Sequence, residues 1–79
     1  MKTEKHIKVT GYSNTSWKDA IVGTINEAAK TLDNLSNIKI LDQYGKIKNN
    51  KIQEYFVDLE LSFVIDKEAA SSSNNQDNM

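Results

Sequence analysis

The sequence predicts an α+β fold of βαββ order, in which a three-stranded antiparallel sheet wraps around one helix. Two stretches, one near each end, alternate between apolar and polar residues, as half-buried strands do. Between them, apolar residues recur at spacings of three and four, which is typical of an amphipathic helix. An Asn-Asn pair separates two β-rich stretches and suits a two-residue hairpin turn. One apolar helix face must cover one apolar sheet face, so we expect a single two-layered domain.

The first strand is predicted at His6–Tyr12. Ile7 and Val9 point to one face, and the polar residues between them point to the other. Turn-forming residues follow the strand.

The helix is predicted to begin after Thr15 or Ser16, either of which is a good N-cap. Asp19, three residues after Ser16, resembles the second member of a capping box. We expect the helix to end at Leu32 or Asp33, because Asp and Asn favour turns over helix interiors. The predicted buried stripe consists of Trp17, Ile21, Ile25, Ala28 and Leu32, widened by Val22 and Ala29.

The second strand is predicted at Ile38–Ile47, with Ile38 and Ile40 on one face. Its other face takes Lys39, Leu41 and Gln43. Asn49-Asn50 then forms the predicted turn, because Asn tolerates positive φ.

The third strand carries the clearest alternation in the chain and is long, so we expect it to be the central strand. Its apolar face is Tyr55, Val57, Leu59, Leu61, Phe63 and Ile65, and its polar face is Glu54, Asp58, Glu60 and Ser62.

Composition excludes several classes of protein. Ten Lys, no Arg and eleven acidic residues give a net charge of -1, which argues against a nucleic-acid-binding module. No Cys is present, and His6 is the single histidine, so disulfides, thiolate chemistry and multi-histidine metal sites are excluded within one chain. The sequence contains no run of about 18 apolar residues that could span a membrane. The first residues lack the apolar core of a signal peptide, so the expected compartment is the cytoplasm.

The size of the folding unit predicts an oligomer. Residues 67–79, KEAASSSNNQDNM, are polar and Ser/Asn-rich, and we expect them to be a disordered tail that follows a domain at residues 1–66. A domain this small is marginal alone, and disulfides are not available to it. An ordinary small monomer is the alternative.

The polar residues do not form a recognisable catalytic set, so no enzyme is expected. No nucleophile elbow is present, and the single glycines make no phosphate loop. Glu54, Asp58 and Glu60 are read as a solvated or salt-bridged face, with a cation site at a subunit junction as the alternative. His6 is read as a surface residue, with a role at a junction as its alternative.

Phe56 breaks the polar face of the third strand. It stands between Glu54 and Asp58, where an aromatic side chain is unexpected. One interpretation is a scattered surface residue. The other is burial at a subunit interface or in a ligand pocket.

Three motifs in order resemble the dodecin family. They are G-Y-S-N-T-S-W-K-D-A at the helix start, A-A-K-T-L-D-N-L at its end, and a closing Y-x-V-x-L-x-L-x-F strand. The resemblance covers about Lys5 to Asp66, and Asn14 replaces a common proline. It implies a βαββ subunit, a hollow shell of twelve copies, and storage of a flavin such as riboflavin, FMN or lumichrome without turnover.

The resemblance also places the family's two flavin-binding residues on this chain. The tryptophan that stacks on the flavin falls on Asn37, and the glutamine that hydrogen-bonds its edge falls on Phe56. Asn37 has no ring, and Phe56 cannot make those hydrogen bonds, so flavin binding is predicted to be weakened.

Phe56 then closes the site with its own ring, supplies a replacement aromatic face for the flavin, or lines a site for a different apolar ligand. The alternative to a flavin shell is one that holds a cation, such as calcium or magnesium, or no ligand. Calcium is associated with some family members that lack the tryptophan, and the sequence assigns no metal ligands.

Overall fold

The computed structural model describes residues 2–66, which form three strands and one helix. They are β1 (Lys2–Ser13), α1 (Trp17–Ala28), β2 (Leu35–Lys48) and β3 (Lys51–Asp66). The strands make one antiparallel sheet in the order β1-β3-β2, with the long third strand in the centre. The predicted α+β fold is therefore confirmed. The predicted tail at residues 67–79 lies outside the described residues.

The helix covers only part of the sheet face that it packs against, which we call the inner face. Ala20 of α1 and three residues of β3, Val57, Leu59 and Leu61, are the fully buried apolar residues of the part described. The helix packs on β1 and β3. On β2 the same face leaves Ile38 and Ile40 exposed by 41% and 49%. The opposite face of the sheet, which carries Phe56, is the outer face.

Buried and half-buried hydroxyl groups fix the start of the helix. Ser16 is the N-cap, and its Oγ accepts a hydrogen bond of 2.9 Å from the backbone N–H of Asp19. Ser13, at the end of β1, donates to the Asp19 carboxylate at 2.8 Å. The predicted Ser16 cap is thus confirmed, and Ser13 ties the strand to the first helical turn.

Ser16→Ala is expected to cost about 1 kcal/mol of unfolding free energy, because it removes the hydrogen bond to an N–H that the helix cannot satisfy. Urea unfolding followed by Trp17 fluorescence measures this. Thr15→Ala is the matched control, since within residues 2–66 the Thr15 hydroxyl bonds only Asn14, at 3.3 Å. An equal loss in the control would contradict the assignment of the cap.

The helix ends at Ala28, about one turn before the predicted end at Leu32 or Asp33. Short turns continue to Leu32. Asn34 then adopts a positive φ of 61°, and its carbonyl accepts a hydrogen bond from the Val64 N–H at 3.1 Å. The chain must therefore turn early to reach β3. Val22 is 46% exposed and Ala29 is also exposed, so the prediction that they widen the buried stripe was wrong.

The hairpin turn is confirmed, but the strand it follows is irregular. Asn49 and Asn50 have φ values of 55° and 64°, as a two-residue turn of this kind requires. An extra residue at Leu41 makes a bulge between Ile40 and Asp42. Because of this bulge, Gln43 pairs with the inward-facing Val57 and lies on the inner face. The prediction that Gln43 shares a face with Lys39 was therefore wrong.

Candidate functional site

An aromatic row crosses the outer face of the sheet. Tyr12 and Tyr44 both pair with Phe56, from opposite sides. The Tyr44 ring stacks on the Phe56 ring with centroids 5.2 Å apart and planes 5° apart. The Tyr12 ring lies 5.4 Å away on the other side, tilted by 47°. Phe56 is thus flanked by two rings, which explains an aromatic residue in a polar row.

Charged groups border this aromatic row. The Tyr44 hydroxyl donates to Asp58 at 3.4 Å, and the Tyr12 hydroxyl donates to Glu54 at 3.5 Å. Desolvation, followed by the nearby Asp58 carboxylate, raises the pKa of Tyr44 above its ordinary value of 10.0. The Lys46 ammonium lies 5.9 Å from the centroid of the Phe56 ring. The row therefore combines exposed ring surface with both signs of charge.

Asn37 lies in a different, polar part of the outer face. Its amide donates to Glu4 at 3.2 Å, and the neighbouring Ser36 hydroxyl donates to the same oxygen at 3.1 Å. Asn37 pairs with Ser62, six residues from Phe56 along β3. At 3.3–3.4 Å per residue, that separation is about 20 Å. One chain therefore does not bring Asn37 and Phe56 to the same small ligand.

His6 connects two carboxylates near Asn37. Its Nδ1 lies 2.7 Å from Glu60 Oε2, and its Nε2 lies 3.5 Å from Glu4 Oε1. The hydrogen bond with Glu60 raises the pKa of His6 above its ordinary value of 6.5, and Glu4 adds to this. The same hydrogen bond holds the pKa of Glu60 below its ordinary value of 4.5.

This pair predicts a pH dependence of stability. The raised pKa of His6 means that its contribution is fully present below pH 6.5 and is lost as pH rises through the folded pKa. The lowered pKa of Glu60 means that its contribution is lost only as pH falls below 4.5. We therefore expect the melting temperature to fall as pH rises from 6.5 through the folded pKa of His6, and His6→Gln to remove that fall.

The measurement is a series of thermal melts from about pH 5 to about pH 9, with an NMR titration of the single imidazole. Glu60→Gln is the control, and it should lower the pKa of His6. A His6 pKa at or below 6.5 in the unmodified chain would contradict the prediction.

The carboxylates of the outer face are not gathered into a metal centre within one chain. Asp42 and Asp58 lie directly opposite each other on β2 and β3. Residues 2–66 contain no group of three or more His, Asp or Glu side chains placed to hold a metal ion. Like charges directly opposite each other on a sheet are unfavourable unless they are compensated.

Sequence reasoning missed the two tyrosines that flank Phe56. Tyr12 could have been predicted from the sequence, because it continues the alternation of His6, Lys8 and Thr10 onto the outer face. Tyr44 could not, because only the bulge at Leu41 sets which face it takes.

The geometry defines a small βαββ domain whose outer sheet face is aromatic and charged and is not covered by any other element of residues 2–66. The family model for dodecins matches residues 3–66, so this chain belongs to the dodecin family. No curated protein matches it. No helix among residues 2–66 has the length and apolar character that a membrane crossing needs.

Three solved structures illustrate the similarity. A Thermus thermophilus dodecin variant has a TM-score of 0.79 and 29% identity, over 84% of this chain and 98% of that one. The Streptomyces davaonensis dodecin has a TM-score of 0.76 and 26% identity, over 82% and 96%. A calcium dodecin from Mycobacterium tuberculosis, described as having a novel calcium-binding site, has a TM-score of 0.70 and 26% identity, over 92% and 99%.

Proposed function

We propose that this chain is a subunit of a hollow dodecamer that binds and stores a small ligand and is not an enzyme. The observation that supports the assembly is that few apolar side chains are buried and many are exposed. Within residues 2–66 the buried apolar residues are Ala20, Val57, Leu59 and Leu61, whereas eight large apolar residues are 40% or more exposed. So much exposed apolar surface on so small a subunit is typical of a protein that associates.

The proposed ligand site is the outer face around the aromatic row, because the family resemblance places a ligand-binding residue at Phe56. Flavin, as riboflavin or FMN, is the ligand that the family implies. The usual stacked mode has little support here, because Asn37 supplies no ring and the Phe56 ring is flanked by Tyr12 and Tyr44. A flavin would have to use the exposed tyrosine rings instead.

A cation is the second candidate ligand, and one observation favours it. The Asp42 and Asp58 carboxylates face each other across β2 and β3, where a divalent cation would offset their repulsion. Asp58 already accepts a hydrogen bond from Thr10 at 2.9 Å, which leaves its other oxygen for a metal. The relative from Mycobacterium tuberculosis is described as a calcium dodecin. Two carboxylates are too few for calcium, so further ligands would come from other copies.

Two measurements on the full chain test the proposal. Native mass spectrometry should give about 107 kDa, twelve times the subunit mass of 8.9 kDa. A monomer would overturn the assembly. Riboflavin fluorescence should change little as protein is added, whereas calcium should raise the melting temperature, an effect that Asp58→Asn removes.

The outcome of the titrations separates the two ligands. Saturable quenching of riboflavin would mean that Tyr12 or Tyr44 replaces the missing tryptophan, and flavin would be the ligand. No response to riboflavin, calcium or magnesium would contradict ligand storage at this face and leave an empty shell.

A further inference from the structure

The tip of the β2–β3 hairpin, residues 46–53, presents uncovered apolar side chains. Ile47 and Ile52 pair across it and are 71% and 40% exposed. Ile52 lies on the inner face. A Cβ added at Gly45 would lie on that face beside Trp17, and it would be 3.3 Å from the Ile52 Cγ2. The last residue of β1, Ser13, pairs with Tyr55, so the tip extends past the end of that strand. Three lysines accompany the isoleucines: Lys46, Lys48 and Lys51.

An open apolar groove lies between β1 and the C-terminal half of α1. Its volume is about 590 Å³, and its lining includes Ile7, Val9, Gly23, Glu27, Ala28 and Leu32. Apart from the backbone of the helix itself and the two chain neighbours, nothing among residues 2–66 lies within 4 Å of a Cβ added at Gly23. A glycine inside a helix is unfavourable, and no neighbour within the described part of the chain requires it. Because Gly23 has no side chain, another molecule can approach the helix backbone closely at this point.

The groove and the tip have complementary charges. Glu27 borders the groove. The Lys30 ammonium lies 3.1 Å from the Glu27 carboxylate, but this ion pair is exposed and contributes little to stability. The last turn of α1 carries no basic residue, so the negative end of the helix dipole is not offset within that turn. The lysines of the tip would supply positive charge to the Glu27 carboxylate and to the C-terminal end of α1.

We propose that the hairpin tip of one copy docks into the groove of a second copy. Ile47 and Ile52 would cover the apolar lining beside Gly23, and the tip lysines would face Glu27 and the helix end. Because the two surfaces differ, the contact is head-to-tail, and it closes only when the copies form a ring or shell. This inference rests on the proposed assembly.

Ile47→Asp tests the tip without disturbing the subunit, because the Ile47 side chain is largely exposed. We expect it to weaken assembly at least about tenfold by sedimentation, as loss of an apolar anchor at an interface does. The circular dichroism spectrum should stay that of the parent. Glu27→Lys alone should also weaken assembly, because it places a like charge opposite the lysines of the tip.

A cross-linking experiment identifies the partner surface, since the chain has no cysteine of its own. Chains with Ile47→Cys and chains with Gly23→Cys are refolded together, then oxidised or treated with a short bis-maleimide. The expected product is a cross-linked pair of unlike chains, which neither variant gives alone.

The results distinguish failure of this inference from failure of the assembly. A parent chain that is monomeric overturns both. An assembled parent whose variants give no cross-link between unlike chains, or whose assembly survives Ile47→Asp, overturns the tip-in-groove contact and leaves the dodecamer standing. Cross-links between two Ile47→Cys chains alone would mean that tips meet tips.

Discussion

Replacing Gly11 with valine is expected to cause a large loss of stability. Gly11 lies on the inner face, and a Cβ there would overlap the Thr24 hydroxyl and come within 2.9 Å of the Ala20 carbonyl oxygen. The carbonyl is part of the helix backbone, and the Thr24 hydroxyl already donates to it at 2.7 Å. The helix can accept the larger residue only by moving off β1.

We expect Gly11→Ala to cost about 1–3 kcal/mol and Gly11→Val more, as overpacked sites do. Urea unfolding at a fixed chain concentration measures both. Asn26→Ala is the control, because Asn26 is an exposed residue of the same helix outside the groove and alanine favours the helix. If Gly11→Ala unfolded at the same urea concentration as the parent, the close contact between helix and strand would be wrong.

The double change Asn37→Trp with Phe56→Gln is expected to give the largest gain of function. It restores the two residues that the family resemblance assigns to flavin binding. Ring stacking contributes roughly 1–3 kcal/mol per contact. We therefore expect riboflavin affinity to rise by about one to two orders of magnitude, measured by quenching of riboflavin fluorescence.

The single changes serve as controls for this gain. Phe56→Gln alone removes the ring between Tyr12 and Tyr44, and Asn37→Trp alone supplies a stacking face without the polar partner. Because the two positions lie about 20 Å apart in one chain, a gain also requires that separate copies contribute them. An assembled double variant with unchanged affinity would mean that the cavity itself differs from that of flavin-binding dodecins.

Features that depend on neighbouring residues could be predicted from the sequence. The alternation of β3 gives its two faces, Ser16 caps the helix, and Asn49-Asn50 makes the turn. Each of these follows from the local chemistry of a few consecutive residues.

Features that depend on distant partners could not be predicted. The early end of the helix reflects the hydrogen bond from the Val64 N–H to the Asn34 carbonyl, thirty residues back along the chain. Likewise, the bulge at Leu41 has no signature of its own, yet it moves Gln43 to the inner face and places Tyr44 beside Phe56.

The same division applies to the candidate site. Phe56 was identified as an exception to the polar pattern, and Asn37 by resemblance. Their separation in the sheet needed the strand pairing, because sequence numbers alone do not give it. The bond between His6 and Glu60 also joins residues 54 positions apart, and only the pairing of β1 with β3 brings them together.

The irregularities of β2 have a consequence for how copies can meet. This strand forms one border of the sheet, and a straight, unpaired border is a template on which further strands add without limit, as in amyloid. Extra residues at Ser36 and Leu41 interrupt the regular geometry of the strand, and lysines recur along it at Lys39, Lys46 and Lys48. Bulges and lysines are the devices by which natural sheets discourage such growth. Backbone-to-backbone stacking along β2 is therefore disfavoured, and association is left to side-chain surfaces that can close on themselves at a finite number of copies.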